Sequence, residues 1–303
     1  MKHFAKNHNS LSASQLAAAA GIFSSKVIQE MARTGKSETF SRLATQSGMI
    51  DLISRSTPIS HFFDQVFNVL QRSDYRHEYS YKNLIANKQL LGIHSLKTAS
   101  MLSEFRIGTS KADLVILNGT STVYEIKSER DNLRRLETQI SAYRKVFARV
   151  NVITGINHIE SLNKILPDDV GILLLNNRSN ISVVRKSAEL PERTDPVSIL
   201  DSVTRNEAFA ILNHLNIALP TAPNTQIYSV LRRIFTNCDP AETHEAMVAV
   251  LKETRTLIPL TDLLDQIPTS LKAAILSTPI KKQDHERLIG AINTPKKEAL
   301  LWT

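Results

Sequence analysis

Between residues 104 and 154 the chain reads EFRIGTSKADLVILNGTSTVYEIKSERDNLRRLETQISAYRKVFARVNVIT. Phe105 and Ile107 alternate around Arg106 as in a strand. Residues 113–117 are an almost unbroken apolar run after the leading Asp, as expected of a strand covered on both faces. Asn118-Gly119 signals a hairpin turn, and residues 122–127 return as a third strand. Asp131 opens a helix whose apolar positions Leu133, Leu136, Ile140, Tyr143 and Phe147 step by three and four. Residues 150–154 form a further strand. Three charged side chains, Asp113, Glu125 and Lys127, lie inside these strands. Burying such groups costs several kcal/mol per ion unless they are paired or hold a metal.

The tripeptide Glu125-Ile126-Lys127 carries no weight alone: 16 Glu and 18 Lys in 303 residues yield about one Glu-x-Lys by chance. Register is the stronger constraint, because a one-residue slip turns every side chain of a strand to the other face. A two-residue loop at Asn118-Gly119 would oppose Asp113 to Tyr124. A three-residue loop, 118–120, opposes it to Glu125 with Lys127 on the same face. An odd loop is therefore expected. Two carboxylates about 4 Å apart repel by roughly 4 kcal/mol at an effective dielectric of 20, and a divalent cation would turn that repulsion into a binding site. Oxygen donors from Asp113, Glu125 and the Ile126 carbonyl suit Mg2+ or Mn2+ rather than zinc. The competing arrangement is structural, with Asp113 capping a loop and Glu125 paired to Lys127.

Around this stretch the chain divides into three segments. Residues 1–59 read as an N-terminal helical module. SASQLAAAAGIFSSKVIQEMARTG has the outline of a helix-turn-helix or of a plain helical hairpin, with Phe23 where such turns carry something small and polar. Residues 60–190 hold the strands, preceded by an amphipathic helix through Phe62, Phe63, Val66, Phe67 and Leu70. A second helix is closed by Gly92, with Asp74 as a candidate cap and Glu78 four residues from Lys82. After a Pro-rich linker, residues 195–303 form helical patterns that suit a structural role, a protein partner or self-association.

The net charge of +8 is uneven: residues 1–194 hold 26 Lys/Arg against 17 Asp/Glu, and the remainder 11 against 12. A basic front half suits a polyanion such as nucleic acid, or a solvated surface. No apolar run approaches the roughly 18–20 residues of a membrane span. Cys238 is the single cysteine, so no internal disulfide can form, and a cytoplasmic protein without a signal peptide is expected.

ADLVIL followed by VYEIK, with QISAY downstream, resembles the PD-(D/E)xK nuclease superfamily and its RecB-like branch with a QxxxY motif. The wider run over residues 60–190 is similar to a family of standalone bacterial PD-(D/E)xK proteins. The resemblance implies an α/β, restriction-endonuclease-like core with helical extensions at both ends. It implies a Mg2+ (or Mn2+)-dependent nuclease fold, and the function expected on it is hydrolysis of phosphodiester bonds, in DNA, in phage defence or mobile-element control. Asp113, Glu125 and Lys127 match the metal-site positions, Gln139 and Tyr143 the QxxxY pair, and Glu78 an additional acid. Arg106 and Lys111 match basic positions ahead of the Asp. Ala112 replaces the motif's proline. Arg130, Arg134 and Arg135 cluster at the expected start of the helix, against its dipole, where phosphate contact or solvation would explain them. A catalytically silent nucleic-acid-binding or regulatory module is the alternative.

Overall fold

The computed structural model describes residues 11–303, so the first ten residues of the N-terminal segment lie outside the described part. The chain forms two compact units: the residues up to Asn83 together with Asp262–Thr303, and Leu84–Thr261. This division differs from three consecutive segments, because the last helices belong with the first ones and residues 195–261 belong with the sheet.

The first unit is helical: α1 (Ala13–Gly21), α2 (Ser25–Thr34), α3 (Glu38–Gln46), α4 (Ile59–Leu70) and most of α5 (Glu78–Ile85). The Ser24 side chain caps α2 by accepting from the Val27 amide, and Gly35 ends it in the left-handed region at φ 77°. Val27, Ile28 and Met31 make a fully buried stripe on α2 that needs apolar partners. Phe23 is not an exposed turn residue. It stacks on Tyr79 with ring centroids 4.3 Å apart and meets Phe63 edge-on, so its bulk serves the core.

The second unit is α/β, a six-stranded mixed sheet flanked by helices. The strands β1 (Ser100–Ile107), β2 (Ser110–Leu117), β3 (Ser121–Lys127), β4 (Arg149–Thr154), β5 (Gly171–Leu175) and β6 (Ile181–Arg185) lie in sequence order across the sheet. β1, β2 and β3 form an antiparallel meander. β3, β4 and β5 are parallel, joined by crossovers through α6 (Leu136–Arg144) and α7 (Ile159–Ile165), and β6 returns antiparallel. All seven residues of β3 are buried, as a central strand requires. Four further helices follow: α8 (Pro196–Leu200), α9 (Arg205–His214), α10 (Ile227–Thr236) and α11 (Pro240–Thr254). Their apolar faces, through Ile211, Leu231, Phe235 and Met247, join one core with Val123, Val152 and Tyr143. The chain then crosses α12 (Thr261–Leu264) into the first unit, adding α13 (Lys272–Leu276), α14 (His285–Ile292) and α15 (Lys296–Ala299); α14 and α3 cover the stripe of α2.

Two helix starts differ from the periodicity. Asp131 does not open a helix: its carboxylate accepts from the Ser128 amide at 2.8 Å and the Ser128 hydroxyl at 2.7 Å, folding a local turn. The helix begins at Leu136, so Arg130 and Arg134 sit on the loop before it and Arg135 at its N-cap. Likewise the second helix starts at Glu78 rather than near Asp74 and widens into π-helix over Ala86–Leu91 before Gly92. No helix among the described residues is long and apolar enough to cross a membrane.

Candidate active site on the third strand

The loop joining β2 to β3 has three residues, 118–120. The pairs Leu114↔Tyr124 to Leu117↔Ser121 set the register, which carried one step on brings Asp113 opposite Glu125. Gly119 adopts φ 100° there, a conformation that suits a residue without Cβ. Period two then puts Glu125 and Lys127 on one face of β3, the face covered by α6.

Four side chains form a closed network on that face. Lys127 Nζ donates to Glu125 Oε1 at 2.5 Å and to Gln139 Oε1 at 3.0 Å. The Tyr143 hydroxyl lies 2.8 Å from Glu125 Oε2 and 2.9 Å from the Lys111 carbonyl, while Gln139 Nε2 reaches it at 3.5 Å. Gln139 and Tyr143 are one helical turn apart on α6, which is why one helix can reach both ends of the Glu–Lys pair. Glu125 is 2% exposed and Tyr143 fully buried. Burial, reinforced by the Glu125 carboxylate beside it, pushes the Tyr143 phenol far above its ordinary range. The phenol therefore keeps its single proton, set between two acceptors. Each Glu125 oxygen is used once, by ammonium or by phenol, which repays part of the cost of burying the carboxylate.

Asp113 stands at the rim. Its Oδ2 accepts from the Ile126 amide at 2.8 Å, which ties the side chain to the backbone of β3 between Glu125 and Lys127. The β1–β2 pairing has one gap, between Ser103↔Leu114 and Phe105↔Ala112, where Glu104 and Asp113 are opposed. Glu104 has φ 57°, unusual for a residue with a Cβ in a strand. One carboxylate oxygen of Glu104 lies within 4.8 Å of one from Asp113. Lys111 forms an ion pair with Glu104 and offsets part of their mutual repulsion.

Asp113, Glu125, Lys127, Gln139 and Tyr143 are thus brought together, with Ile126 between them. Glu78 belongs to the first unit, where it pairs with Lys82 at 2.7 Å. Arg106, Arg130, Arg134 and Arg135 are exposed, and Lys111 is exposed while paired to Glu104. His158 reaches the Ser128 carbonyl at 3.1 Å, a structural contact. Glu104 escaped sequence reasoning. The signal for it was the two-residue turn Gly108-Thr109, flanked by Ile107↔Ser110, which fixes 104 opposite 113. For a divalent ion, with both Glu125 oxygens already bonded, the donor set that the sheet unit gathers is the carboxylate oxygens of Glu104 and Asp113. That set fits Mg2+ or Mn2+.

Residues 71–257 match the family model described as Bacteriophage P4 protein cII. Among curated proteins, Protein cII of Enterobacteria phage P4 is 25% identical over 140 residues, covering 45% of this chain. The match spans 53% of that relative's length. Among solved structures, a protein of unknown function from Silicibacter pomeroyi aligns at 16% identity with a TM-score of 0.31, over 46% of this chain and 93% of that one.

Proposed function

This chain belongs to the bacteriophage P4 protein cII family, and from that premise we propose that it is a metal-dependent nuclease acting on DNA in the control of phages or other mobile elements. The observation that carries the reading is the convergence of Asp113, Glu125, Lys127, Gln139 and Tyr143 from two strands and one helix. The same residues carry the resemblance to PD-(D/E)xK nucleases, and the sheet with its flanking helices is compatible with a restriction-endonuclease-like core. The family's phage name supports the mobile-element setting. The reading stands on the sheet unit alone, and Glu78 is not needed for it.

Asp113 and Glu125, with the Ile126 carbonyl, would hold Mg2+ or Mn2+. When bound, the ion supplies Lewis-acid stabilisation of charge developing on a phosphate. Lys127, held between Glu125 and Gln139, brings a fixed ammonium to the same place and stabilises the same charge. Tyr143 and Gln139 are positioning residues: they fix the Glu125 carboxylate and the Lys127 ammonium in one geometry. The exposed Arg106, Arg130, Arg134 and Arg135 supply backbone phosphate contacts that do not read sequence.

Plasmid and single-stranded DNA incubated with wild type, Asp113→Ala and Lys127→Ala, with Mg2+ or Mn2+ and with chelator, test the proposal. Cleavage by wild type in metal, lost in chelator and reduced at least about a hundredfold in either variant, is expected. Equal cutting by all three proteins, or none under any metal, sinks it. One observation favours a second reading: both Glu125 oxygens are already bonded and the residue is almost inaccessible. A catalytically silent module for binding nucleic acid would retain DNA shifts in Asp113→Ala and never cut.

A further inference from the structure

The other face of the sheet carries a second polar concavity. Thr122 pairs with Arg149 and Tyr124 with Asn151 across the parallel β3–β4 ladder. The period of two turns them away from Glu125 and Lys127. Asn118 on the β2–β3 loop and Glu189 after β6 help wall a cavity of about 440 Å3 above these four residues. Thr122, Tyr124 and Asn151 are at least nine-tenths buried. Among the described residues none of these three side chains is hydrogen-bonded. Their polar atoms keep solvent access through the cavity, so they are open to hydrogen bonds from an occupant.

Further features describe the chemistry that would satisfy them. Asn118 Nδ2 donates to His94 Nε2 at 2.9 Å, and its Oδ1 is buried with no partner. Gly171 makes room for the Asn151 carboxamide: a Cβ there would lie 2.1 Å from Asn151 Oδ1. Arg149 and Glu189 pair at 2.5 Å with about two fifths of each side chain exposed, so both retain free edges. The neighbouring Thr120 and Arg149 hold the Glu189 carboxyl below its ordinary range, so it is an acceptor at neutral pH. Burial pushes the Tyr124 phenol up to about 12, which keeps its donor hydrogen.

A guanidinium beside a carboxylate selects a ligand with adjoining acceptor and donor edges. Guanine presents O6 and N7 to an arginine, and next to them N1–H and the N2 amino group to a carboxylate. Adenine offers no such donor pair. We propose that this cavity binds a guanine base carried on a nucleoside or nucleotide, with Arg149 on O6 and N7 and Glu189 on N1–H and the 2-amino group. Tyr124 and Asn151 complete the contacts. The site is separate from the proposed cleavage site, so either can fail alone.

Isothermal titration of the full chain with guanosine, GMP, AMP and a short single strand carrying one guanine tests it. Guanosine and GMP should bind, with AMP at least about tenfold weaker. Glu189→Gln should lose about tenfold in guanosine affinity, as the donor pair loses its carboxylate. Tyr124→Phe should weaken binding without lowering the melting temperature, because its hydroxyl holds nothing in the fold. It carries the test if Glu189→Gln folds poorly. Equal binding of GMP and AMP, no binding of any probe, or guanosine affinity unchanged in both variants overturns the assignment. A strand that binds more tightly than guanosine supports it and identifies nucleic acid as the source of the base.

Discussion

His244 on α11 meets Ser121 at the start of β3, with Nε2 2.7 Å from the serine oxygen. Ser121 Oγ also accepts from the Ala148 amide at 3.1 Å, and the serine and the imidazole are both buried. Burial depresses the His244 pKa to about 4. The unfolded chain takes up a proton below the ordinary value near 6.5 while the folded chain does not. Stability from this residue is therefore complete above pH 6.5 and lost as pH falls toward 4. The loss amounts to about 3 kcal/mol at full titration. Urea unfolding of wild type and His244→Gln, whose amide does not titrate, should show the wild type losing that much more stability between neutral pH and pH 4. Parallel curves would refute the pairing. The serine and histidine are both inaccessible, which removes them as a nucleophile and base.

Turns and caps decide where elements begin and which way they face. The three-residue loop after β2 depends on Gly119, whose φ of 100° is closed to most side chains although no atom lies within 4 Å of the place a Cβ would occupy. Gly119→Ala should therefore cost roughly 1 kcal/mol through backbone strain alone, measured by chemical denaturation. A neutral result would mean the loop can change type.

On α9, Glu207 completes a capping box with Thr204 and takes two bonds from Arg255 beyond the end of α11, at 2.7 and 2.9 Å. These hold its pKa at about 2. The stabilisation is present above the ordinary carboxylate value near 4.5 and disappears as pH falls through 2. Glu207→Gln should cost about 3 kcal/mol at neutral pH, because the arginine loses its buried partner. The gap to wild type should close in acid, and a gap independent of pH would contradict the ion pair.

At the scale of the molecule the charge is lopsided, with an excess of nine positive charges in residues 1–194. If that half engages DNA through Arg106, Arg130, Arg134 and Arg135, affinity should fall at least about tenfold as salt rises from about 50 to 200 mM. An affinity indifferent to salt in a gel-shift series would exclude phosphate contacts. Much of the sheet was legible beforehand: the strands around the Asn118-Gly119 turn, the odd loop, and the facing of Asp113 toward Glu125 follow from period-two patterning and turn chemistry, which are local. The pairing of Gln139 and Tyr143 on one helical face is local too.

The residues by themselves therefore determined the strands, their register and the α6 face that meets them. Only the tertiary structure decided that Glu125 would have both oxygens bonded, that Glu104 would stand across from Asp113, and that Thr122, Tyr124 and Asn151 would line a cavity on the reverse face. It also decided that the last helices join the first ones while residues 195–261 complete the sheet's core. The reason is physical: an apolar stripe such as that of α2 states that it needs a partner, but any stripe of similar shape would satisfy it. The choice is made by the packing of the whole chain, to which each local pattern contributes a part.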